Sequence, residues 1–127
     1  MTTRALDTSV IMAVLLGEPG QDVAARLAPG SVLSSVNLAE IVTKCVEKAV
    51  PPEVAQRYIR DSNIQVLGFE AEHAILTGEL FKSVKKGILS LGDRACLATA
   101  VRLGATAVTA DRAWAELDLP CAIELIR

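Results

Sequence analysis

Residues 91–111 read LGDRACLATAVRLGATAVTAD, and this stretch decides the fold. From Asp93 the apolar residues Cys96, Leu97 and Ala100 recur at helical spacing as far as Leu103, and Gly104 follows as a stop signal. Thr106-Ala107-Val108-Thr109 is then β-rich, and the run ends at Asp111. A helix that turns at a glycine straight into a strand is one repeat of an alternating α/β chain.

The same alternation extends to both ends. Residues 3–6 form a short predicted strand ending at Asp7, followed by a helix carrying Val10, Ile11, Ala13, Val14 and Leu15 and closed by Gly17. A short helix over 22–27, a Pro29-Gly30 turn and a strand over 31–34 come next. Asn37 is the predicted N-cap of a helix reaching Ala49, with Leu38, Ile41, Val42, Cys45 and Val46 on one face, and Pro51-Pro52 ends it. Beyond lie a helix over 53–61, a strand over 65–68 and a long helix over 71–86 stopping near Gly87. After Asp111 the pattern predicts a helical turn at 114–117 and a last strand at 122–126. Strands separated by helices throughout imply right-handed crossovers, so the expected fold is one α/β domain over residues 1–127 with a mostly parallel sheet covered on both faces.

Composition agrees with that class. The chain is 51% hydrophobic, enough for one core, yet holds only one Trp, one Tyr and two Phe, which suits helices packed on a sheet better than an aromatic sandwich. No apolar run approaches the roughly 18–20 residues that span a bilayer, and MTTRALDTSV lacks the layout of a signal peptide, so a cytoplasmic protein without membrane contact is expected. Cys45, Cys96 and Cys121 are widely spaced in apolar surroundings and fit neither a disulfide framework nor a zinc site. A net charge of −2 is not the footprint of a protein that binds nucleic acid through a broad basic face and counts against a nucleic-acid substrate, although a metal and a few local cations can still handle the phosphate.

Four carboxylates stand where such a sheet presents its ligands, beyond the carboxyl ends of the strands. Asp7 and Asp111 each follow a predicted strand, Glu40 lies in the expected first turn of the helix after the second strand, and Asp93 opens a helix facing the same edge. Singly, Asp7, Asp93 and Asp111 read equally well as helix caps, and Glu40 as a solvated side chain beside Thr43, Lys44 and Glu47. Together they need a cation, because two carboxylates about 5 Å apart repel by roughly 3 kcal/mol at an effective dielectric of about 20. Oxygen ligands without His or Cys select Mg²⁺ or Mn²⁺, ions suited to phosphodiester hydrolysis. Ser9 is placed to orient water or a phosphate oxygen, or else caps the first helix. His73, the sole histidine, lies apart from every acidic motif. Trp114 reads as packing the last turn on the sheet, Lys82, Lys85 and Lys86 as a solvated helix end, and Arg94 and Arg112 as either phosphate grips or surface residues.

Rival classes lack their marks. A phospho-acceptor signalling domain needs an acidic residue ending its third strand, where this chain has Val66-Leu67-Gly68, and a D-x-D phosphatase is contradicted by Asp7-Thr8-Ser9. Nucleotide-cofactor folds are unsupported without G-x-G-x-x-G or G-K-[ST].

In order, LDTSVIMAVLLGEPG at 6–20, VNLAEI at 36–41, LGDRACLATA at 91–100 and TADRAW at 109–114 resemble the acidic motifs of PIN domains, closest to the VapC-type toxins of bacterial toxin–antitoxin pairs. The resemblance covers nearly the whole chain. It implies a three-layer α/β/α fold and a Mg²⁺- or Mn²⁺-dependent endoribonuclease cutting structured RNA at loops. Asp7, Glu40, Asp93 and Asp111 would be its metal-binding acids and Ser9 an accessory hydroxyl. It further implies a homodimer built through helices and a cognate VapB-type antitoxin whose tail blocks the site. The alternative within the family is a catalytically inactive PIN-like module that binds RNA or protein.

Overall fold

The computed structural model describes residues 2–84 and 87–127. The chain runs β1 (Arg4–Leu6), α1 (Thr8–Leu16), α2 (Gln21–Leu27), β2 (Val32–Ser34), α3 (Ser35–Glu47), α4 (Pro52–Asp61), β3 (Gln65–Leu67), α5 (Ala71–Glu79), α6 (Leu91–Leu103), β4 (Thr106–Thr109) and β5 (Ile123–Leu125). Short 3₁₀ turns occupy Leu80–Ser83 and Arg112–Glu116. All strand pairs are parallel, in the order β3-β2-β1-β4-β5. The chain therefore builds outward from β1 to β3, returns through α5 and α6, and builds the other way through β4 to β5. The reversal lies between β1 and β4.

Strand alternation sorts the core into two layers, since successive side chains leave a strand on opposite faces. Leu6, Leu33 and Val108 pack with Val10 and Ile11 of α1, Ile41 and Cys45 of α3 and Ile59 of α4. Their neighbours Ala5, Val32 and Ala107 pack instead with Cys96 and Leu97 of α6, Leu80 and Trp114. Helices thus cover both faces, giving the expected three-layer α/β/α arrangement. Trp114 is completely buried, consistent with a packing role. Cys45 and Cys96 are buried and Cys121 half-buried, all as free thiols, and burial pushes the Cys96 thiol well above its usual range. Among the described residues no helix is long and apolar enough to cross a membrane.

Several boundaries differ from the sequence reading. Ser34, not Asn37, caps α3, its Oγ accepting from the backbone N–H of Val36 at 3.2 Å, so Glu40 lies in the second turn rather than the first. Val46 is 66% exposed, because a step of 100° per residue carries it off the stripe of Ile41 and Cys45. The long helix expected over 71–86 ends as an α-helix at Glu79 and tightens into the 3₁₀ turn; Lys85 and Lys86 lie outside the described residues. Ser90, rather than Asp93, caps α6, in a reciprocal box where Ser90 Oγ accepts from Asp93 N–H at 3.1 Å and Asp93 Oδ2 accepts from Ser90 N–H at 2.9 Å. Gly104 does end α6, in the left-handed conformation at φ 62° that favours glycine. His73 helps cap α5, its Nδ1 accepting from Glu70 N–H at 3.4 Å.

Leu33 sits mid-sheet with no exposure, so Leu33→Ala is expected to cost about 2–5 kcal/mol. Urea unfolding checks this: the midpoint should fall at constant slope, and an unchanged midpoint would contradict the packing described.

Candidate metal centre

Where strand order reverses, an open α/β sheet leaves a crevice at its carboxyl edge. Asp7 follows β1 directly and Asp111 stands two residues beyond β4. Glu40 comes from α3 and Asp93 is the third residue of α6. All four acids and Ser9 line one open cleft of about 440 Å³.

Asp7 is the deepest of them, at 6% exposure. Although it precedes α1, it makes no side-chain cap bond. Its Oδ2 instead accepts from Ser9 Oγ at 2.8 Å and from Thr109 Oγ1 at 2.9 Å. Ser9 Oγ in turn accepts from Ala110 N–H at 3.0 Å, so this hydroxyl ties the carboxylate of β1 to the end of β4. Burial raises the Asp7 carboxyl to about 6; hydrogen bonds from Ser9 and Thr109 oppose the rise, and the charges of Asp93 and Glu40 add to it. Asp93 is also raised, by burial first, against the stabilising Ser90 contacts, with Glu40 and Asp111 contributing repulsion. These acids feel one another across the cleft.

Glu40 is held rather than solvated. Its Oε1 accepts from Thr8 Oγ1 at 2.7 Å and from Asn37 Nδ2 at 3.1 Å. Asn37 is fully buried and also donates to the Gly92 carbonyl at 3.1 Å, joining α3 to α6. A Cβ placed on Gly92 would collide with the Glu40 carboxylate, so only glycine leaves that carboxylate its position. Asp111 is exposed, and its Oδ1 accepts from Ala113 N–H at 3.0 Å, the capping contact that the sequence allows. Neither arginine beside these acids shows a phosphate-gripping pose: Arg94 donates to the Thr77 carbonyl and lies over the Phe81 ring, and Arg112 donates to the Arg127 carbonyl.

The donor set fits a hard divalent cation: only oxygen ligands, mutual repulsion, and, among the described residues, no ion pair to any of the four acids. Among the described residues no three carboxylates stand close enough to ligate one ion as placed. They ring the cleft, each accepting hydrogen bonds from its own local hydroxyl, amide or backbone donors. Closing them on an ion takes side-chain movement.

Thr8, Asn37, Gly92 and Thr109 were not singled out for the site by sequence reasoning. Asn37 was detectable, since it stands three residues before Glu40 on one helix face. Thr109 was not, because it meets Asp7 across 102 positions of chain. Lys44 and Lys48 also line the cleft, at four and eight residues beyond Glu40.

The family model described as PIN domain matches residues 4–119. No curated protein matches the chain by sequence. Among solved structures, VapBC2 from Rickettsia felis bound to a promoter DNA fragment superposes with a TM-score of 0.73 at 22% identity, covering 97% of this chain and 98% of that one. DNA-bound VapBC from Salmonella typhimurium gives 0.73 at 22% identity over 100% of both chains. VapC20 from Mycobacterium tuberculosis, a sarcin–ricin loop cleaving toxin, gives 0.76 at 18% identity over 92% of this chain and 96% of that one.

Two outcomes follow from this geometry. A native Asp7 carboxyl near 6 against about 3.9 unfolded means that the folded protein holds the proton more tightly. Stability from this group is then full below about pH 4 and lost as pH rises through about 6. In EDTA, Asp7→Asn should therefore be more stable than wild type above pH 6, by up to about 3 kcal/mol, with the gap closing near pH 4. Equal melting temperatures at pH 8 would contradict it. Gly92→Ala should fold yet bind Mn²⁺ about 10–100-fold more weakly by calorimetry, because the added Cβ takes the space of the Glu40 carboxylate; unaltered Mn²⁺ affinity would contradict a dependence of ion binding on the space that Gly92 leaves.

Proposed function

The chain belongs to the PIN-domain family, and from that premise we propose that it is a Mg²⁺- or Mn²⁺-dependent endoribonuclease of the VapC toxin type. The observation that carries the reading is that Asp7, Glu40, Asp93 and Asp111, from four separate stretches of chain, line one cleft at the sheet's reversal point. In this proposal the whole chain acts as one PIN domain, and those four acids hold the ion.

The ion, when bound, supplies Lewis-acid polarisation of the scissile phosphate and acidifies an attacking water. The protein's own part is positioning. Ser9 and Thr109 fix one oxygen of Asp7, and Thr8 and Asn37 fix one oxygen of Glu40. The Ser90 backbone aims Asp93 from the first turn of α6. Asp111 is the most exposed acid, placed to meet substrate and ion together. A carboxyl raised to about 6 ionises just below neutral pH, so proton and metal compete for the same Asp7 oxygens.

The substrate proposed is RNA, cut at an exposed loop, in line with the sarcin–ricin activity of the Mycobacterium tuberculosis relative. The partner proposed is a VapB-type antitoxin, since the Rickettsia felis and Salmonella typhimurium relatives are VapBC complexes. The active form proposed is a helix-mediated homodimer in the cytoplasm, where such RNA is found.

Wild-type protein with Mn²⁺ or Mg²⁺ is expected to cut a structured RNA, and EDTA to stop it. Asp7→Asn and Asp93→Asn should lose more than the roughly 10–100-fold that removal of a supporting residue costs, with unchanged circular dichroism. Undiminished cleavage in both variants would end the mechanism, and absence of cleavage by wild type would favour the inactive binding module.

A further inference from the structure

We propose that Lys44 and Lys48 form a phosphate-binding track that carries an RNA single strand out of the acidic cleft along α3; this rests on the nuclease reading above. A strand that places one phosphate among Asp7, Glu40, Asp93 and Asp111 meets repulsion on every other phosphate nearby. A net charge of −2 supplies no overall positive field to offset that repulsion, so cations close to the strand's path carry the weight.

The cleft lining contains two cations among the described residues, Lys44 and Lys48. Lys44 follows Glu40 by four residues on α3, and Lys48, which caps the helix after Glu47, follows by four more, so each lysine lies about 6 Å further along the helix axis and about 40° further round it. That advance matches an extended strand laid along the helix with successive phosphates meeting successive side chains.

Both lysines are exposed. Glu40 and Lys44 have the spacing of an ordinary helical ion pair, yet they make none. The ion pairs among the described residues are Arg4–Glu124, Arg60–Asp61 and Arg102–Glu72. Glu40 turns Oε1 to Thr8 and Asn37 instead, which leaves the Lys44 ammonium to another anion. The neighbouring arginines are engaged elsewhere, Arg94 on α5 and the Phe81 ring, Arg112 on the Arg127 carbonyl. Such contacts read backbone rather than base, so the track supplies affinity and direction without sequence preference.

The test measures binding of a fluorescein-labelled oligouridylate to the Asp7→Asn protein across a salt series, alone and with Lys44→Gln, Lys48→Gln or both. Each lost phosphate contact should flatten the slope of log K against log[salt] by about 0.7, and the double variant by about 1.4. Lys82→Gln, an exposed change outside the cleft lining, should leave the slope unchanged. Oligouridylate bound with the same slope in all variants overturns the track and leaves the nuclease reading standing. An equal flattening by Lys82→Gln overturns it as a general charge effect. Weakened binding of an oligoglutamate with an unchanged RNA slope assigns the lysines to an acidic protein partner instead. No oligouridylate binding at any salt, with no RNA cleavage by the wild type, removes the nuclease reading and the track with it.

Discussion

Asp7 is buried beside other acids, and the rest of the site answers to that placement. A carboxylate at 6% exposure loses hydration that two hydroxyl donors only partly replace, and Glu40 and Asp93 add repulsion. The fold tolerates this because the backbone around Asp7 is fixed on both sides: β1 pairs with β2 and β4, and Asp7 N–H itself donates to the Val108 carbonyl at 2.9 Å. A rigid strand end keeps the charge in place where a loop would swing it into water.

The remaining acids are held in different ways, and the differences follow from the elements that carry them. Glu40 is pinned by a buried amide and a threonine hydroxyl, with the bare backbone of Gly92 making room for it. Asp93 serves the helix and the cleft at once, one oxygen closing the capping box of α6. Asp111 caps the following 3₁₀ turn from an exposed position. Three of the acids are thus held by specific donors and the fourth stands exposed at the rim, and under the proposed function drawing them onto one ion takes side-chain movement.

Much of this was legible in the residues. Strand and helix order could be read because Gly17, Gly104 and Pro51-Pro52 punctuate strongly periodic segments, and all five strands appear within a residue or two of their expected places. Where the reading failed, two local signals competed: Ser34 and Asn37 are both good caps, and the tertiary demand for Asn37 beside Glu40 left the cap to Ser34. Ser90 displaced Asp93 in the same manner, because a capping box needs the acid three residues inside the helix. The four acids were visible as residues placed after strands and at helix starts. Their anchoring was not, since contacts such as Thr109 to Asp7 depend on which strands become neighbours. Lys44 in α3 and Lys48 at its end carried a readable signal in their spacing from Glu40, masked by the ordinary look of exposed charged residues.

The most direct measurement is anomalous diffraction from crystals of the protein soaked in Mn²⁺. The account predicts a peak in the cleft ringed by Asp7, Glu40, Asp93 and Asp111, with Asp7 and Asp93 oxygens at the roughly 2.0–2.2 Å typical of small hard divalent ions. A well-ordered cleft with no peak at saturating Mn²⁺, or a peak bound only by residues outside it, would contradict the account.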